Sequence, residues 1–159
     1  LSLHDALPIS TYSVKVSARD LFHEAVKAAL LRDGWTVTHD PLFLAFGGVD
    51  LYVDLGAERL LAATRGTEQI AVEIKSFLGS SPVTDFHAAL GQFINYRLAL
   101  SNKDPGRVLY LAVPIEAYDL FFVLPFAQLS VSHNQIPLIV YDPEEKEIRR
   151  WIRWNATAS

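Results

Sequence analysis

The sequence predicts a single α/β domain, a mixed β-sheet with helices packed against it. Three observations predict it. An apolar stripe of helical period, Phe22, Ala25, Val26, Ala29 and Leu30, opens the domain. Strand-length segments then follow, "VDLYVDLG" and "QIAVEIKSF" first and "RVLYLAVP" later. A longer helical pattern, "VTDFHAALGQFINYRLALS", sits between those strands rather than after them.

The elements are justified in chain order. "SARDLFHEAVKAALLRDGW" reads as the first helix, with Ser17 or Asp20 as its cap and Gly34 ending it. Glu24 lies off the centre of the stripe, one turn before Lys27. "WTVTH" reads as a short strand, and "DPLFLAFGG" as a loop apolar enough to be partly buried. Alternation in "VDLYVDLG" sends Asp50, Tyr52 and Asp54 one way and Leu51, Val53 and Leu55 the other. "RLLAAT" and "QIAVEIKSF" read as strands joined by a turn at "RGTE". Pro82 starts the long helix, packed through Phe86, Leu90, Phe93 and Ala99 or Leu100. Asp85, Ala89, Gln92 and Tyr96 form a second row on it. "RVLYLAVP" is a buried strand ended by Pro114. "FAQLSVSHNQ" is a short helix, and "IPLIVYD" and "KEIRRWIRW" are the last two strands.

A chain of 159 residues suits one domain with one sizeable core. That domain is read over residues 17–154, with an N-terminal extension at 1–16 and a tail at 155–159. The extension lacks the basic start and long apolar run of a signal peptide. With no cysteine, a disulfide scaffold, a thiolate nucleophile and a Cys-based zinc site are excluded. No apolar run reaches the roughly 18 residues of a membrane span, so no membrane partner is expected and the cytoplasm is the default compartment. The formal net charge of −4 gives no global pull toward nucleic acid, so any phosphate contact needs a local basic patch.

The segment "AVEIKSF" carries the chemistry. Alternation puts Ala71, Glu73, Lys75 and Phe77 on one face of a strand that otherwise reads as buried. Buried charges need partners, water or a metal. Strand pairing can bring Asp50 beside Glu73, and a divalent cation would remove the repulsion between them. Mg²⁺ or Mn²⁺ suits such a site, with Asp50, Glu73 and the Ile74 carbonyl as protein ligands. Lys75 would then orient a metal-bound water or stabilise charge growing on a phosphate. A Glu–x–Lys pair on a half-exposed sheet is ordinary. Asp50 behind the flexible "FGG" brings the metal site and the plain ion pair level.

"GGVD" followed by "VEIKSF" resembles the PD-(D/E)xK metal-dependent nuclease superfamily. "LFHEAVKAALLRDGWTVTHDPLF", "GGVDLYVDLG", "IAVEIKSFLG", "FHAALGQFINYRLAL" and "VLYLAVP" resemble one family within it, XisH. These are cyanobacterial proteins named as controlling factors for excision of the fdxN DNA element. The resemblance runs from Ser17 through Trp151. It implies a restriction endonuclease-like core and a DNA-processing role in site-specific excision of a DNA element. It places the first metal-ligating aspartate on Asp50, the second acidic position on Glu73, the lysine on Lys75 and the first-helix acid on Glu24. A Q-x-x-x-Y element falls on Gln92 and Tyr96, one helical turn apart. Gln92 would orient Lys75 or a water, and Tyr96 would reach a phosphate oxygen. Val49 stands where the motif's proline would be. The implied activity is Mg²⁺- or Mn²⁺-dependent hydrolysis of DNA. The alternative is a non-catalytic accessory protein that binds a recombinase or an XisI-like partner. A homodimer follows from the resemblance alone.

Other residues are weighed beside these. Asp54 is expected to be a solvated sheet residue, and His39 a turn residue beside Asp40. His23 and His87 lack zinc spacing. Arg97, with Arg59 and Arg65, would extend a phosphate-binding rim. The basic and aromatic residues of "KEIRRWIRW" suit phosphate contact, but the edge or interface reading is preferred.

Overall fold

The first helix, α1 (Ala18–Arg32), begins where Ser17 Oγ accepts a hydrogen bond from the Asp20 N–H at 3.1 Å. Ala25, Val26, Ala29 and Leu30 are its buried face. The chain leaves it through Gly34, whose φ of +90° suits a residue without a Cβ. The structure, a computed structural model, describes residues 17–61 and 66–154. The extension at 1–16, the tail at 155–159 and Arg65 lie outside the described residues.

Strand β1 (Thr36–His39) follows, then the cis Asp40–Pro41 bond. The next segment differs from expectation. Leu42–Phe46 is a strand, β2, not a loop, and pairs antiparallel with β3 (Val49–Val53). Leu42 and Leu44 turn inward while Phe43 and Ala45 face out. Every residue of "LFLAF" is apolar, so this alternation is invisible in hydrophobicity alone. Gly47 and Gly48, at φ +60° and +82°, make the two-residue turn that such a hairpin requires.

"VDLYVDLG" is likewise not one strand. It breaks at Asp54, where the chain leaves the β2–β3 ribbon and enters a six-stranded sheet as β4 (Leu55–Leu61). The other strands of that sheet are β5 (Gly66–Ile74), β6 (Arg107–Pro114), β7 (Leu138–Asp142) and β8 (Glu147–Ile152). Their order is β1-β4-β5-β6-β7-β8. The β5–β6 and β6–β7 pairs are parallel, and the remaining pairs are antiparallel. A parallel centre is covered on both faces, which is why β6 and β7 read as continuous apolar runs. The expected mixed sheet flanked by helices is therefore present.

Helix α2 (Pro82–Lys103) makes the β5–β6 crossover. A helical stretch, Ile115–Ala117, runs into a π-helical turn, Tyr118–Phe122, and then α3 (Pro125–His133); together they join β6 to β7. Period two along β5 divides the core. Val72 packs with Val26, Leu30 and Trp35 on the α1 face, and Ala71 with Phe86 and Phe93 on the α2 face. Phe122, fully buried, is the hub of that second layer, in ring contact with Phe77, Phe86, Tyr118 and Phe121.

Strand β8 is an edge strand, and its cations are engaged within the fold. A register shift beside Arg149 lets Ile148 and Trp151 face the same core. Arg149 pairs with Asp142 at 2.8 Å, Arg150 lies over Tyr118, and Arg153 lies over Trp151. Trp151 in turn packs on Trp35 and Tyr110.

Phe122→Ala should cost about 3–5 kcal/mol, because it empties the hub of a packed layer. Leu120→Ala, at an exposed site two residues away, should cost about 0.5 kcal/mol or less. Urea denaturation of both variants checks this; equal midpoints would remove Phe122 from the core.

Candidate functional site

The end of β5 and the start of β4 meet across the sheet, with Leu55 opposite Val72. One residue before Leu55, Asp54 is thereby carried beside Glu73. The two residues clasp each other. The Ile74 N–H donates to Asp54 Oδ2 at 2.8 Å, and the Asp54 N–H donates to Glu73 Oε1 at 3.4 Å. Each backbone group thus fixes a carboxylate of the other strand.

Glu73 is only 4% exposed. Lys75 Nζ stands 3.3 Å from its Oε2. Lys75 is held in turn: its N–H donates to the Ala112 carbonyl at 2.9 Å, continuing the β5–β6 ladder one step past the strand. Burial pushes the Glu73 acid up to about 7, with the Asp54 charge adding to the rise and Lys75 opposing it. Arg19, 87% exposed on the first turn of α1, reaches within 3.8 Å of Asp54 Oδ1.

These groups open into a cleft of about 380 Å³. Gln92 and Tyr96 close its other side from α2, and Gln92 Nε2 donates to the Tyr96 hydroxyl at 2.9 Å. Burial, and then the Glu73 charge, raise the Tyr96 phenol above its usual range, so it stays a neutral O–H donor. Phe22, His23 and Tyr52 complete the rim. His23 Nε2 and Lys27 Nζ each lie 2.8 Å from an Asp40 oxygen.

The cleft thus brings together Glu73, Ile74, Lys75, Gln92 and Tyr96 of the expected residues. Three others lie elsewhere. Asp50 is exposed on the β2–β3 ribbon opposite Ala45, beside the Gly47–Gly48 turn, because its strand pairs with β2 and joins the β5 sheet only after Asp54. Glu24 is exposed and does not line the cleft; its helix turns Arg19 and His23 toward the cleft instead. Arg97 donates to the carbonyls of Asn134 and Gln135 at 3.0 and 3.1 Å and lies over Phe93, so it binds α2 to the end of α3. Arg59 lies over Trp35 beside Glu68, and His87 is exposed against Phe126.

Asp54, Arg19, His23 and Tyr52 were not legible as a group. The turn signal could have found Asp54. A Gly-Gly hairpin mirrors its two strands, so a five-residue β2 implies a β3 that ends at Val53. The junction residue is then Asp54.

The family model described as XisH protein matches residues 16–149. No curated protein matches the chain. Two crystal structures are similar to it. One is an XisH family protein from Nostoc punctiforme PCC 73102, with 50% identity, a TM-score of 0.77, and coverage of 84% of this chain and 100% of that one. The other is a fdxN element excision controlling factor protein from Anabaena variabilis, also with 50% identity and a TM-score of 0.77, covering 84% of this chain and 99% of that one. The mixed sheet flanked by helices is common to all three and consistent with a restriction endonuclease-like core.

The Glu73 shift has a definite sign. Its folded value, about 7, lies above its ordinary 4.5, so the unfolded chain releases this proton first as pH rises. The stability Glu73 contributes is whole below pH 4.5 and is lost between 4.5 and 7. With a chelator present, Glu73→Gln should gain on the order of 1–3 kcal/mol over wild type on going from pH 4 to pH 8. Thermal melts across that range check it; parallel curves would show that Glu73 is not desolvated.

Proposed function

The chain belongs to the XisH family, and from that premise we propose that it is a DNA-processing factor in excision of a DNA element, acting as a divalent-metal-dependent endonuclease. The name of the Anabaena variabilis relative supports the excision role. The observation that carries the hydrolytic role is the Asp54–Glu73–Lys75 cluster in an open cleft. Read as a PD-(D/E)xK arrangement, the cluster takes Asp54 rather than Asp50 as its first acid.

The donor set fits a hard cation. Two carboxylates stand together, one buried and resisting ionisation, with one lysine as partial compensation. Among the described residues no three His, Cys, Asp or Glu converge on a point. Two carboxylates with waters suit Mg²⁺ or Mn²⁺, which keeps much of its hydration, better than an all-protein cage would. Asp54 and Glu73 would hold the ion, with the Ile74 carbonyl as a further ligand. When bound, it supplies Lewis-acid stabilisation of charge on the phosphate.

The chain's own groups divide the remaining work. Lys75 places a positive charge against the phosphate oxygens and orients the attacking water. Glu73, paired with Lys75, keeps that ammonium aimed into the cleft. Tyr96 presents its O–H to a phosphate oxygen while Gln92 fixes the ring's hydroxyl. Arg19, extended at the rim, contacts an adjacent phosphate.

An accessory role, with a recombinase or an XisI-like protein as partner, draws on a separate feature. Leu120, Val123, Phe126 and Leu129 are exposed together around the π-helical turn and α3.

Cleavage of supercoiled and linear DNA in Mg²⁺ or Mn²⁺ distinguishes the roles. Asp54→Asn, Glu73→Gln and Lys75→Ala should each slow cleavage by about 100-fold or more. Asp50→Asn and Glu24→Gln should retain it. Cleavage undiminished in Glu73→Gln and Lys75→Ala would sink the hydrolytic role and leave the accessory one.

A further inference from the structure

We propose that Phe43 and Tyr52 form a stacking platform that leads an unpaired DNA strand from the cleft to Lys103, so that the substrate class is DNA with a single-stranded segment. This rests on the cleft being a DNA site. The register of the β2–β3 ribbon sets Phe43 directly opposite Tyr52, and their ring centroids lie 5.2 Å apart. Both are more than half exposed, at 51% and 55%. The outward face of a tight Gly-Gly hairpin thus carries two large aromatic rings, with Ala45 and Asp50 between them and the turn, on a ribbon separate from the main sheet.

The pair joins two hollows. Tyr52 lines the cleft with Glu73 and Lys75. Phe43 lines a second hollow of about 330 Å³, whose far wall is the end of α2 at Lys103 and Asp104. Asp104 is engaged by Arg107 Nε at 2.8 Å. Lys103 has no ion pair among the described residues. The track therefore runs from cations in the cleft, over two aromatic rings, to a cation at its end. That alternation matches a single strand, whose phosphates need positive charge and whose bases need flat apolar faces. A duplex keeps its base faces inside the stack and presents only edges in its grooves. An apolar protein partner would match the rings but not the cations at both ends.

The test is fluorescence anisotropy of the full chain with labelled single-stranded and blunt duplex DNA, in Ca²⁺ in place of Mg²⁺. The wild type should prefer the single strand. Phe43→Ala and Tyr52→Ala should each cut that preference about tenfold. Phe43→Leu and Tyr52→Leu keep the apolar contact that holds the hairpin and remove only the ring face, so they should lose the preference as well. Lys103→Ala should weaken single-strand binding and flatten its salt dependence. If the single strand binds and the leucine variants keep the preference, the platform is overturned and the cleft's function stands. If neither form of DNA binds, the reading of the cleft as a DNA site falls, and the platform with it.

Discussion

The reciprocal hydrogen bonding of Asp54 and Glu73 is the constraint on which the rest depends. Two carboxylates at close range repel by several kcal/mol even at an intermediate dielectric of about 20. The fold holds them together by making each accept a backbone N–H from the other's strand. Those N–H groups belong to Asp54 itself and to Ile74, so the acids cannot separate unless the entry to β4 and the end of β5 separate too. The charge cluster and the seam of the sheet are one structure.

Everything around the clasp makes that hold firm. Strand β5 has β4 on one side and β6 on the other, and both of its faces are covered. Glu73, almost wholly buried, faces the cleft. Lys75 sits just beyond the strand but keeps its backbone tied to Ala112, so its ammonium extends from a fixed base. Beyond it Phe77, at a positive φ of 55°, turns the chain and places its ring against Phe122. The aromatic layer under α2 thus braces the segment that carries the lysine. Loss of packing there would loosen the site before it touched any polar group.

Much of this was legible in the sequence, and each miss has a physical cause. Of the two candidate caps, Ser17 and Asp20, Ser17 is the one used; the α1 stripe, the two faces of "AVEIKSF" and the Gln92–Tyr96 row follow from local periodicity, and all are found. Asp50 fails because periodicity describes one strand at a time. "VDLYVDLG" keeps perfect alternation while passing from the hairpin into the main sheet, and nothing in that alternation marks the passage. The β2 strand fails for a related reason: a strand whose exposed positions are Phe and Ala gives no polar signal. Arg97 fails because a sequence cannot say whether a helix cation faces a cleft or the carbonyls at the end of a neighbouring helix.

The distribution of cations resolves a tension in an acidic chain that is read as handling DNA. A net charge of −4 would repel a polyanion if the cations were spread evenly. They are not. Arg59, Arg149 and Arg153 are matched to carboxylates and laid over aromatics or in the edge-strand network, while Arg107 and Arg97 are spent on backbone carbonyls. Lys27 is tied to Asp40. What stays near the cleft is Lys75 inside it, Arg19 at its rim and Lys103 beyond the hairpin. Attraction between exposed charges fades within about 10 Å at ordinary salt, so a phosphate at the cleft responds to Lys75 and Arg19 set against Asp54 and Glu73, and hardly to the chain's total. Local placement, not net charge, is what decides whether this surface can receive a nucleic acid.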